Sequence, residues 1–137
     1  MAFWLLKSEP GDFNWSEQAA LGPKGGPWTG VRNAQARIYM REMKTDDLAF
    51  FYHTGAEKAV VGVVRTTKAA YPDPAPDGEG WVVVDVAAVE PLVRPVAIGA
   101  IRAEPKLKDM VLVKNSRLSV QPVTAAEWAL VRKMGGL

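Results

Sequence analysis

Two strongly strand-forming runs sit five residues apart near the middle of this 137-residue chain, and they constrain the fold more than any other feature. LAFFYH (48–53) and AVVGVVRTT (59–67) are rich in aromatic and β-branched residues, and the Thr54–Lys58 connection between them suits a hairpin. Gly62 interrupts the second run, so a bulge or a close approach by another backbone or ligand is expected there. AFWLLK (2–7), stopped by Pro10-Gly11, reads as a short buried strand, WVVVDVAAV (81–89) as a central one, and RLSVQPV (117–123) as the last. In that last strand Arg117, Ser119 and Gln121 fall on one face and Leu118 and Val120 on the other.

Short helices fit between these strands. Asn14 with Glu17 and Thr124 with Glu127 have capping-box spacing, the first opening a helix that ends near Gly22-Pro23, the second a C-terminal helix stopped by Gly135-Gly136. Asn33 is placed to cap a third helix, and a helical patch is expected near Ala97–Ala103, after Pro91 and Pro95 break the chain. PKGGPWTG around Trp28 and the Pro-, Asp- and Gly-rich stretch 69–80 read as loops. About five short strands without long βαβ repeats imply one mixed α/β (α+β) domain over 1–137, a partly closed barrel with helices packed outside.

Composition narrows the chemistry. No apolar run is long enough for a membrane helix, and the opening MAFWLLKSEP is too short, with its charge on the wrong side, for a secretory signal. The chain has no cysteine and one histidine, His53, which argues against a disulfide framework, a metal site and the common nucleophilic dyads. A cytoplasmic setting is the default expectation, as is a monomer. Phosphate-loop, GxSxG and HExxH motifs are missing, so no cofactor and no catalytic role are expected. An acid–base site from Lys7, Glu9 and His53 is conceivable, against the plainer reading of Lys7 and Glu9 as a surface ion pair. Net charge is only +2, yet bases cluster at 32–44 (Arg32, Arg37, Arg41, Lys44) and 102–117 (Arg102, Lys106, Lys108, Lys114, Arg117). Those clusters are either solvated faces or phosphate contacts.

Five Trp is a high number for a domain this size. Trp28, inside a Gly/Pro loop, either plugs the edge of a core or walls a cleft. Tyr52 and His53 end their strand beside a loop, where a pocket mouth and a satisfied core position are both open readings. A cleft with Trp28 and Tyr52 as walls, Ser8 and Glu9 at a polar strand end, and Arg32, Asn33 and Arg117 nearby would suit an unstacked nucleic-acid base. A free nucleoside-like small molecule would suit the same cleft, and an enzyme acting on nucleic acid is the third, weaker possibility.

Five ordered motifs carry a resemblance along almost the whole chain: WLLKSEP (4–10), W-x-G-V-R-N-x-x-A-R (28–37), MK-x-x-D-L-x-F-F-Y-H (43–53), YPDP (71–74) and L-V-x-x-x-R-L-S-V-Q-P-V (112–123). The chain resembles the EVE domains of the PUA-like superfamily, which also includes the YTH readers of methylated adenine. The resemblance implies a pseudo-barrel of five to six strands, without catalysis, whose pocket accepts a modified base in DNA or RNA. Carried onto this sequence, it implies a floor and rim from Lys7, Ser8, Glu9 and Pro10, one wall from Trp28, and polar contacts from Arg32 and Asn33. Tyr52 and His53 would close the other side, and Arg117 and Ser119 would line the entrance; apart from the resemblance, Arg37, Arg41, Lys106 and Lys108 of the basic clusters are the expected phosphate contacts. Strand alternation allows only one of Tyr52 and His53 to face a given side unless the strand end twists. Two positions depart from the family pattern: Ile38 stands where Asn is usual, and Asp46 where Gly is usual.

Overall fold

The computed structural model describes all 137 residues. The elements run β1 (Phe3–Ser8), α1 (Trp15–Ala20), β2 (Gly26–Pro27), α2 (Ala34–Glu42), β3 (Leu48–His53), β4 (Ala59–Pro72) and β5 (Val82–Ala97). They continue through α3 (Ile98–Ala103), a 3-10 turn (Pro105–Leu107), α4 (Val111–Lys114), β6 (Val120–Val123) and α5 (Ala125–Met134). The six strands form one mixed sheet in the order β2-β5-β4-β3-β1-β6, with β1 parallel to β3 and the other pairs antiparallel. The sheet is open, because β2 and β6 end it without pairing to each other.

Strand alternation splits the apolar residues between two cores. Trp4, Leu6, Ala49, Phe51 and Val64 face α2 and the Trp28 segment, whereas Leu5, Phe50, Tyr52, Val60 and Val63 face the C-terminal helices and Trp128. Both expected capping boxes form, as does the Asn33 cap on α2. Buried Asp47 fastens the start of β1, accepting the Trp4 indole N–H at 3.1 Å together with the backbone N–H groups of Ala2 and Lys44. Asp46 beside it holds φ at 75°, the left-handed conformation that explains the family's usual glycine, and pairs with Arg65.

Three elements differ from expectation. β4 runs on to Pro72, into the stretch read as a loop. β5 continues through Pro91 and Pro95, which were expected to break it. Pro91 pairs with Gly62 beside a shift in the β4–β5 register, and Pro95 lies in the irregular stretch between the Gly62–Pro91 and Val60–Val96 pairs, so both fall at a bulge, where a missing N–H is tolerated. The last strand begins only at Val120. Arg117 and Ser119 precede it, and Gln121 is fully buried, its amide donating to the carbonyls of Asn115 and Leu118.

Gly62 sits at the expected bulge, and what approaches it closely is a side chain, not the expected backbone or ligand. The β3–β4 register slips beside it, and a Cβ there would lie 2.3 Å from the Trp15 ring. The 73–81 loop is fastened separately. Arg32 on the segment entering α2 donates to Asp73 at 2.9 Å and to Asp77 at 3.0 Å, and its guanidinium lies 5.8 Å from the Trp81 ring. Hydrogen bonding, foremost from the Ala75 backbone N–H and then from Arg32, holds the Asp73 carboxyl below its ordinary value.

Gly62→Ala should destabilise the domain by about 1–3 kcal/mol through overpacking against Trp15, read as a lower urea midpoint. Asp73 tests the loop. A depressed carboxyl contributes stability in full above its unfolded value, and that contribution disappears as pH falls through the lower native value. The wild-type urea midpoint should therefore drop on acidification below the ordinary aspartate value of 3.8, and Asp73→Asn should show a flatter acid limb.

Candidate functional site

On the Phe51 side of the sheet, rings meet edge to face. Trp28 lies 5.3 Å from Phe51 at 88°, Trp15 lies 5.5 Å away at 82°, and His53 lies 5.5 Å away at 80°. Phe13 meets Trp28 at 6.3 Å and 81°. Each such pair contributes about 0.5–1.5 kcal/mol beyond area burial, so the Trp28 ring is fixed from two sides. Its backbone N–H also donates to Val84 at 2.7 Å. Trp28 therefore combines both readings left open: it is 6% exposed, a core residue, and it also lines a cavity.

That cavity has a volume of about 680 Å³. One side is the end of β1 and the turn beyond it, Lys7 to Glu9 with Asp12 and Phe13, and the other is the loop from Gly25 to Gly30 with Trp28. The turn forms because Glu9 accepts the backbone N–H groups of Asp12 and Phe13, and Ser8 Oγ donates to the Phe13 carbonyl. Gly25 is required opposite: its φ is +61°, and a Cβ would fall 1.9 Å from the Val86 carbonyl oxygen. Of the side chains here, Glu9 accepts from Thr54 Oγ1 at 3.1 Å and Asp12 is exposed. The cavity thus offers carboxylate acceptors, the Ser8 and Thr29 hydroxyls and an indole, a set suited to the donor edge of a flat ligand.

The structure brings Lys7, Ser8, Glu9 and Trp28 to one cavity but not the rest of the expected set. Lys7 and Glu9 form no ion pair. Side-chain alternation sends Lys7 to the face opposite Ser8, where Nζ donates to the Ser116 carbonyl at 2.7 Å and lies 5.8 Å from the Tyr52 ring, while the Glu9 carboxylate is taken by Thr54. Half-burial there lowers its pKa. Tyr52 shares that face, beside a second cavity of about 320 Å³, so it cannot close the side opposite Trp28. Burial raises its hydroxyl pKa, with nearby Arg102 opposing.

His53 does point toward the Phe51 side but lies behind the cavity wall. Nε2 accepts the Trp15 N–H at 3.1 Å, so the Nδ1 proton faces Glu57 Oε1 at 2.6 Å, and the ring anchors the start of α1. Lys7, Glu9 and His53 hence do not converge. Arg32 is engaged by Asp73 and Asp77, and Asn33 Oδ1 by the Ala36 N–H. Pro10, Arg117 and Ser119 line neither cavity. Ser119 instead accepts the Lys7 backbone N–H, and Arg117 sits in an exposed turn.

Of the expected phosphate contacts, Arg37 donates to the Gly80 carbonyl with its guanidinium 4.7 Å from Trp81, whereas Arg41, Lys106 and Lys108 are exposed. Ile38 is 48% exposed on α2 and lines neither cavity. Sequence reasoning missed Asp12, Phe13 and the glycines of the 25–30 loop as cavity residues. The Gly/Pro punctuation around Trp28 was their signal.

Comparison with known proteins agrees with this architecture. The family model for the EVE domain matches residues 2–134. Thymocyte nuclear protein 1 of Homo sapiens is 32% identical over 160 residues, covering 93% of this chain and 71% of its own length. The crystal structure of a protein from Agrobacterium tumefaciens superposes with a TM-score of 0.97 at 46% identity, covering 100% of this chain and 94% of that one. The crystal structure of human THYN1 in complex with 5-methylcytosine-containing DNA gives 0.88 at 30% identity, covering 100% and 99%. A YTH domain from Zygosaccharomyces rouxii shares the fold at 17% identity and a TM-score of 0.60, covering 99% and 85%. The match of sequence along nearly the whole chain, with the same sheet, places this protein in the EVE-domain family.

Proposed function

We propose that this chain is a non-catalytic reader that holds a modified base of DNA or RNA in the Trp28 cavity. The observation that carries the reading is the cavity itself: a fixed indole wall facing Ser8, Glu9 and Asp12 in a volume of about 680 Å³. An aromatic face stacks on any base, contributing about 1–3 kcal/mol. Carboxylates accept from exocyclic amino groups, which cytosine and adenine carry. The same carboxylates repel phosphate, so the base enters and its backbone stays outside. The similarity to human THYN1, whose structure holds 5-methylcytosine-containing DNA, supports the same ligand class. Ser8 Oγ donates to the Phe13 carbonyl, and His53 faces Trp15 and Glu57, so neither is arranged as a nucleophile with its base.

A free nucleoside is the second reading, favoured by the acidic rim and by a net charge of only +2. Salt separates the two, because strand binding releases counterions and weakens steeply with salt, whereas nucleoside binding does not. In titrations with 5-methylcytosine-containing and plain oligonucleotides, the wild type should prefer the modified strand. Trp28→Ala should lose about 5–150-fold in affinity for the modified strand and with it the preference. Glu9→Gln should weaken binding of amino-bearing bases selectively. Equal binding of both strands by the wild type, tested across a panel of modified bases, would overturn the reading.

A further inference from the structure

The second cavity lies on the opposite face of the sheet from Trp28, and its electrostatics are reversed. Lys7, Lys58 and Arg102 line it together with Tyr52, Thr54 and Ser116, and no carboxylate does. The lysine and arginine side chains form no ion pair, although Arg32, Arg65, Lys114 and Arg132 all do. Three acids lie near it without lining it: Glu57, in the same hairpin as Lys58, meets His53, Glu104, two residues beyond Arg102, caps the Lys106 N–H, and Glu9 accepts from Thr54 Oγ1. Lys58 holds a left-handed φ of 48°, unusual for a lysine, and its carbonyl accepts the Ile98 N–H at 2.8 Å. That bond ties the hairpin to the start of α3, which carries Arg102. Thr54 N–H donates to the Ser8 carbonyl at 2.9 Å, tying the hairpin to β1 and Lys7. Three cations from separate elements are thus held around one concavity, in a chain with nearly as many acids as bases.

We infer that this second cavity is a phosphate-binding site, formed by Lys7, Lys58 and Arg102 with the Tyr52 hydroxyl as a further donor. Phosphate chemistry fits because two ammonium groups and a planar guanidinium supply charge-assisted bonds, and the Tyr52 hydroxyl can satisfy a further oxygen. The phosphate comes either from a nucleic-acid strand, in which case the site rests on the reading above and adds a second foothold for the strand, or from a free phosphate ion.

Calorimetric titration distinguishes these sources, using inorganic phosphate against chloride at matched ionic strength and a plain oligonucleotide with and without a 5′-phosphate. Lys58→Asn, a residue that tolerates the left-handed backbone, and Arg102→Ala replace exposed side chains, and unchanged thermal melting verifies that both variants fold. Each should lower phosphate affinity roughly tenfold or more, the loss of one charge-assisted bond. Saturation by inorganic phosphate assigns a free ion, and a response confined to the 5′-phosphorylated strand assigns nucleic acid. No specific response to either probe, or unchanged affinity in Arg102→Ala, overturns the site. Preference for a modified base, measured on the same proteins, should survive Arg102→Ala and vanish in Trp28→Ala. Loss of the reader proposal would therefore leave this one standing, and the reverse.

Discussion

Four rings meet Phe51 on one face of the sheet, either directly or through Trp28, and the candidate cavity exists because they do. Phe51 is fully buried on β3, and Trp15, Trp28 and His53 present themselves to it edge to face. Trp15 reaches it only because Gly62 leaves the neighbouring strand without a side chain at that point. His53 then accepts the Trp15 N–H and fixes where α1 begins. The helix and its preceding turn form one bank of the cavity, and Trp28 forms the other. A glycine on β4 and a phenylalanine on β3 thus set the geometry of residues that neither one touches through the chain.

Much of this was legible in the residue order, for identifiable reasons. Capping boxes are local, so Asn14–Glu17 and Thr124–Glu127 announced their helices correctly. Strand composition located β1, β3 and the start of β4. Proline was over-read at 91 and 95, because whether a missing N–H matters depends on where the ladder is irregular, and pairing is not local. The cavity was half legible. Lys7 to Glu9 and Trp28 came together, but Arg32 and Asn33 satisfied neighbours instead, and those neighbours lie respectively 41 and three residues away. Tyr52 was misplaced by one step of strand alternation, the difference between the two faces of a sheet.

The two faces divide labour by charge as well as by packing. Carboxylates border the Trp28 cavity, and unpaired cations border the Tyr52 cavity. Lys7 belongs to both through different atoms, since its strand edges the first and its ammonium enters the second. Because an overall charge near neutrality averages these surfaces, net charge alone conceals the pattern. Local sequence composition hid it too, since Lys58 and Arg102 come from different elements and meet only through the Ile98–Lys58 bond.

The outer edge of β5 has a consequence of its own. Val89 and Val93 are half or more exposed there, and an unpaired apolar strand is ordinarily a template on which other chains assemble. Pro91 and Pro95 have no amide hydrogen to offer, and the Arg94 N–H is taken by the Gly135 carbonyl at the end of α5. An incoming strand would find an interrupted row of donors and charged neighbours in Glu90 and Arg94. The occupied Arg94 amide and these charges therefore act against edge-to-edge association along a sheet that never closes.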